Sequence, residues 1–134
     1  FGITPDYFNS CNGGLISTPQ NGWGNQVPID GSAYAGLTCN ITTVSNAREF
    51  IGCELNQQLI IGETYYVSFY VSLSDISSGN CAINKIGVKF STIPYDSINL
   101  PGLNNFSQVY VNSIVSDTVN WTKISGSDFS DHLP

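Results

Sequence analysis

The sequence predicts an all-β fold, a sandwich or barrel of short strands. Three observations predict it. Residues Thr64–Leu73 alternate without a break: Tyr65, Val67, Phe69, Val71 and Leu73 point one way, and Tyr66, Ser68, Tyr70 and Ser72 the other. Side chains on a strand change face at every residue, so this is the signature of a strand with one apolar and one polar, aromatic face. Turn signals recur, at Asn12-Gly13-Gly14, Asn21-Gly22, Asp30-Gly31 and Gly62. No segment carries apolar residues at the spacing of an amphipathic helix.

The elements follow in order. Residues 1–32 hold Pro5, Pro19 and Pro28 among many glycines and read as loop. Ser32–Val44 and Arg48–Leu55 read as strands; in the second, Phe50 and Gly52 alternate with Ile51, Cys53 and Leu55. Thr64–Leu73 is the strongest strand. Its apolar face builds core, and its Tyr66/Tyr70 face is either ordinary wet surface or a binding surface. Ser74–Asn84 is a polar connection. In Lys85–Ser91, Ile86, Val88 and Phe90 face inward and Lys85, Gly87 and Lys89 outward. Thr92–Phe106, with Pro94 and Pro101, is a long loop. Ser107–Val115 and Thr118–Ile124 are strands; Val119 and Trp121 share a face in the second, which makes Trp121 a core residue. Ser125–Pro134 reads as polar loop. About six short strands separated by turns make a sandwich or barrel.

The length fits a single domain, residues 1–134, and the absence of Met even at position 1 reads as an internal piece of a longer protein. Charged residues are only 10% of the chain, well below the usual quarter. Ser, Thr, Asn and Gly take their place, as suits a secreted or surface protein. A net charge of −6 with only four basic residues excludes a nucleic-acid partner and disfavours anionic membrane surfaces, since both need a Lys/Arg patch. No apolar run approaches the length of a membrane span.

Four cysteines stand at positions 11, 39, 53 and 81 without a C-x-x-C pair, which argues against zinc and for disulfides formed in an oxidising compartment. If residues 33–44 and 48–55 form a hairpin turning at Ser45-Asn46-Ala47, Cys39 lies opposite Cys53 within bridging range. That pairing leaves Cys11 with Cys81.

Nothing points to catalysis. His132 is the sole histidine and lies in a polar tail, where a base lacks a fixed geometry. Glu49 and Glu54 fall on opposite faces of one strand and Glu63 in a turn, so no carboxylate pair faces another across a substrate. Gly13-Gly14 and Gly22-Trp23-Gly24 lack the strand before and helix after that a phosphate loop needs. Carbohydrate binding is the sharper expectation. Aromatic rings stack on the C–H faces of sugars, and amides and charged groups bond the hydroxyls at their edges. Candidate platforms are Tyr66, Tyr70, Trp23, Tyr95 and Phe106; candidate polar partners are Arg48, Asn112 and Gln108. The competing structural roles are a sheet-covering one for Tyr66 and Tyr70 and a core plug for Trp23. Asn40, Asn105 and Asn120 begin Asn-x-Ser/Thr acceptor patterns, which a chain this rich in Asn, Ser and Thr produces by chance.

An ordered series of motifs carries a resemblance. It runs through Pro5-Asp6-Tyr7-Phe8-Asn9-Ser10-Cys11, Gly31-Ser32-Ala33-Tyr34-Ala35-Gly36, Arg48-Glu49-Phe50-Ile51, Tyr65-Tyr66-Val67-Ser68-Phe69-Tyr70-Val71-Ser72, Ile86-Gly87-Val88-Lys89-Phe90-Ser91 and Trp121. From Pro5 to Trp121 the chain resembles the jelly-roll modules of Bacteroidetes exported and surface proteins, including gliding-motility-associated and outer-membrane-anchored ones. These are similar in turn to carbohydrate-binding, galactose-binding-like domains. The resemblance implies a jelly-roll β-sandwich, an exported location, and a role in adhesion or recognition with glycan as ligand. Such modules usually carry a further strand before the Pro-Asp-Tyr-Phe segment and one or more after the tryptophan. Either those strands are missing here and are completed by another segment or chain, or residues 1–32 and 125–134 supply them in unfamiliar sequence. A structural calcium, common in similar modules, would call on loop carboxylates such as Asp6, Asp30, Asp75 and Asp96. Asp96-Ser97-Ile98 and Asp117-Thr118-Val119 resemble the O-glycosylation motif of Bacteroidetes exported proteins, which makes Ser97 and Thr118 candidate acceptors.

Overall fold

The computed structural model describes residues 5–39, 48–76, 82–95 and 107–129. The fold is all-β: the described residues form eight strands and one 3-10 turn, Gly14–Ile16, with no α-helix. The strands pair into four two-stranded sheets. The chain divides into two compact units, the first made of residues 1–51, 72–83 and 115–122, the second of 52–71, 84–114 and 123–134.

In the first unit, β1 (Asp6–Asn9) pairs antiparallel with β4 (Ala33–Gly36), setting Phe8 against Tyr34 and Asp6 against Gly36. Alternation turns Phe8 inward and leaves Tyr7 outside. Phe8 is 2% exposed, and its ring sits 5.3 Å from that of Tyr34, which in turn meets Trp121 edge-on at 5.6 Å. Tilted and edge-on pairs of this kind add to the burial of the rings. The Phe8 ring lies over the backbone of Gly36, where a Cβ would come within 2.6 Å of Phe8 Cε2. β2 (Gln20–Asn21) and β3 (Gly24–Asn25) form a hairpin around Gly22-Trp23. Gly24 has φ +148°, a conformation that favours glycine, and Asp75 Oδ1 sits where a side chain at this position would begin. Residues 72–76 run beside 115–121: Leu73 N–H donates to the Asp117 carbonyl (2.9 Å), and Ile83 bridges to buried Val115.

In the second unit, β5 (Thr64–Val71) pairs with β8 (Thr122–Phe129), which enters this unit at Lys123. β6 (Gly87–Val88) pairs antiparallel with β7 (Val109–Tyr110). Hydrogen bonds from Lys85 N–H to Val111 O and from Val111 N–H to Ile86 O carry that ladder outward. Among the described residues of this unit, Val109 and Ile124 are the buried apolar ones. Gly126 on β8 makes room for Val109: a Cβ there would lie 2.9 Å from Val109 Cγ1.

Several expectations need revision. Residues 6–9 and 125–129, read as loop, are strands. Residues 48–55, read as strand, do not form one. Val119 lies in a turn and is exposed, so it does not share a core face with half-buried Trp121. Cys11, Cys39 and Cys53 are free thiols, and the expected Cys39–Cys53 bridge is absent. The register explains this. Glu49 N–H donates to Thr38 O and the Glu49 carboxylate accepts from Thr38 N–H, which sets Cys39 level with Arg48 and not with Cys53. Cys81 and the expected turn at 45–47 lie outside the described residues.

Candidate functional site

β5 carries the alternation expected of it. Tyr65, Val67, Phe69 and Val71 are half-buried, while Thr64, Tyr66, Ser68 and Tyr70 are exposed. The turn before it is fixed by Glu63 N–H on Ile60 O and by Ile60 N–H on Tyr65 Oη (2.8 Å). β8 alternates in the same sense: Ile124 is buried and Gly126 half-buried, and Lys123, Ser125 and Ser127 are exposed. The two strands therefore share one polar face. A shallow depression of ≈ 470 Å³ on this sheet is lined by Tyr66, Val67, Ser68, Lys123, Ser125, Gly126 and Ser127. Tyr66 is 84% exposed, so its ring meets solvent on nearly all sides. Tyr70 lies on the same face four residues along, ~13 Å away at the rise of a strand, too far for one sugar ring to touch both.

Lys123, Ser125 and Ser127 were not read as site residues. The signal for them was the period-two pattern Lys-Ile-Ser-Gly-Ser. The glycine at an inward position hid it, because the space there is filled by Val109 from β7.

Trp23 is 54% exposed at the tip of the β2–β3 hairpin. Its indole N–H donates to Asp6 Oδ2 at 2.8 Å, and its backbone N–H goes to Asn21 Oδ1, also at 2.8 Å. Ser74 Oγ donates to its carbonyl. Asn21 is buried at 7% exposure and uses both ends of its amide, since Nδ2 donates to Tyr34 Oη at 2.6 Å. The Trp23 indole is thus tied by its N–H edge to Asp6, and its backbone is held at both ends, while the residue stays exposed.

The remaining candidates do not join these two places. Tyr95 and Asn112 are exposed in the second unit but do not line the depression, and Gln108 is turned to the backbone of Phe90. Arg48 is exposed in the first unit, next to Glu49. Phe106 and His132 lie outside the described residues. Of the modification candidates, Thr118 is half-buried in the turn built by Asp117, and Ser97 lies outside the described residues. Asn40 and Asn105 also lie outside them. The carboxylates expected to serve calcium have local duties: Asp6, on β1, holds the Trp23 indole, Asp30 accepts Gly31 N–H, and Asp75 accepts Asn25 N–H. Asp96 lies outside the described residues, and among the described residues no three His, Cys, Asp or Glu side chains gather as a metal site. No helix among them is long and apolar enough to cross a membrane.

Cys39 keeps an exposed surface, yet the atoms packed around its thiol desolvate it. That desolvation pushes the thiol above its ordinary value, Glu49 adds to the rise, and Arg48 opposes it.

The molecule is thus an all-β protein with an exposed tyrosine set among hydroxyls and one lysine, and a separately anchored tryptophan. No protein-family model, curated protein or solved structure matches this chain.

Proposed function

We propose that this chain is a non-catalytic recognition module of an exported, cell-surface or secreted protein, and that it binds glycan on the Tyr66 face of β5 and β8. The jelly-roll sandwich of Bacteroidetes surface proteins is the frame we propose for it, on the sequence motifs and the all-β character together. The observation that carries the reading is Tyr66 itself. An 84% exposed aromatic ring beside a depression edged by Ser68, Ser125 and Ser127 offers a sugar both things it needs, a stacking surface for its C–H face and hydroxyl partners for its rim. The shallow, open shape suits a polymer lying along the strands better than a small molecule enclosed in a pocket.

The test is a glycan array probed with the whole chain and with Tyr66→Ala. Binding to a defined set of glycans that disappears in the variant supports the reading. No binding to plant, algal or host glycans would remove it.

A second reading rests on a different observation. Among the described residues each sheet has only two strands, so each strand has an edge with no strand beside it. A spacer or assembly module whose sheets are completed by a strand of another segment or chain fits this arrangement. Hydrogen exchange along residues 64–71 that slows on adding the neighbouring segments of the parent protein, with no response to sugars, would favour it.

A further inference from the structure

We infer that the β5–β8 depression selects acidic sugars, those carrying a carboxylate or a sulfate, over neutral ones. The inference rests on the glycan reading of the same face. The chain has only four basic residues against ten acidic ones, and one of the four, Lys123, lines the depression together with Tyr66. No Asp or Glu is among its lining residues. A net charge of −6 repels polyanions from the molecule at large. The depression therefore offers an anionic group a positive charge with no carboxylate among the lining residues.

The chemistry is matched to position. Tyr66 offers the stacking surface, the serines offer donors and acceptors to hydroxyls, and Lys123 offers three N–H donors and a full positive charge. A neutral sugar leaves that charge to water; an acidic sugar pairs with it. Because Lys123 is exposed, the pairing is modest and falls with salt.

The experiment measures binding of the whole chain, at low and at physiological salt, to three probes of similar length: an oligogalacturonate, a sulfated galactan oligosaccharide and a neutral malto-oligosaccharide. Each is repeated with Lys123→Gln, Lys123→Arg and Lys89→Gln. The expected result is tighter binding of one or both acidic probes, weakened about two- to fivefold in Lys123→Gln, retained in Lys123→Arg and unchanged in Lys89→Gln. The first two probes separate carboxylate from sulfate recognition. Equal binding of acidic and neutral probes, or equal losses in Lys123→Gln and Lys89→Gln, overturns the selectivity and leaves the glycan reading standing. Absence of binding to all three, together with a blank array, overturns both.

Discussion

Gln108 holds Phe90 by both ends of its backbone. Its Oε1 accepts Phe90 N–H at 2.9 Å and its Nε2 donates to the Phe90 carbonyl at 3.2 Å, while its own N–H goes to Val88 O at 3.0 Å. A side-chain amide carries the same donor and acceptor as a peptide group, so Gln108 continues the β6–β7 ladder by one step. Gln108→Ala should lower stability by about 1–3 kcal/mol, since two such bonds are lost and each contributes roughly 0.5–1.5 kcal/mol net. Urea unfolding should show a lower midpoint with an unchanged slope. Gln108→Asn, one methylene too short, should recover nothing.

Phe8 and Gly36 are coupled through the ring that lies on the glycine. Phe8→Ala should cost about 3–5 kcal/mol as a cavity, and Gly36→Ala about 1–3 kcal/mol as overpacking. In a Phe8→Leu background the added methyl at position 36 meets no ring, and the cost of Gly36→Ala should shrink. A double-mutant cycle on thermal or denaturant stability reads that coupling directly.

Asp117 builds the turn before Trp121. Its Oδ1 accepts the backbone N–H groups of Asn120 and Val119 at 2.8 Å each, and its Oδ2 accepts from Asn120 Nδ2. The Asn120 N–H first, then the Val119 N–H and the Asn120 side chain, hold the carboxyl below its ordinary range. The folded state therefore favours the charged form. Its contribution is present above the ordinary carboxylate pKa and is lost as pH falls through the lower folded value. Asp117→Asn should flatten part of the acid limb of a melting-temperature profile, and carbon-detected NMR titration should place this carboxyl among the lower ones.

Tyr34 responds at the other end of the pH scale. Burial pushes its phenol up, the hydrogen bond donated by Asn21 pulls it partly back, and Asp75 adds to the rise. The unfolded chain ionises first, so the contribution is intact below about pH 10 and is lost as pH rises towards the folded value. Tyr34→Phe should remove this alkaline loss. It should also lower stability at neutral pH, because Asn21 Nδ2 then loses its partner.

The two faces of β5 should separate in a stability assay. Tyr66→Ala, on the exposed face, should change unfolding free energy by no more than about 0.5 kcal/mol. Phe69→Ala, on the half-buried face, should cause a clear loss of melting temperature. A drop in both would contradict the facing described here.

What the sequence made legible was β5, because Tyr65, Val67, Phe69 and Val71 take turns there with Thr64, Tyr66, Ser68 and Tyr70 and no other periodicity fits. It also made Tyr66 and Tyr70 visible as a pair on one outward face. β1 was not legible: with four residues behind Pro5 and one buried side chain, Phe8, it offers no repeat to count. β8 was half legible, since its inner face reads Ile124 then Gly126, and a glycine that another residue packs against carries no hydrophobic signal. The Arg48–Leu55 segment failed the other way. Its alternation is real in sequence, but the Thr38–Glu49 contact sets a register that local pattern cannot choose. Lys123 entered the site only through the pairing of β8 with β5, a contact between residues more than fifty positions apart.

Asn21 has one more consequence. It precedes Gly22, the arrangement in which a backbone nitrogen most easily attacks the side-chain carbonyl and expels ammonia on the way to isoaspartate. With Nδ2 committed to Tyr34 and Oδ1 to the Trp23 N–H, the Asn21 amide cannot swing into line for that attack. Asn12, exposed ahead of Gly13, has no such restraint. The chemical ageing of this protein in storage should therefore begin at Asn12, and the hairpin that carries Trp23 should outlast it.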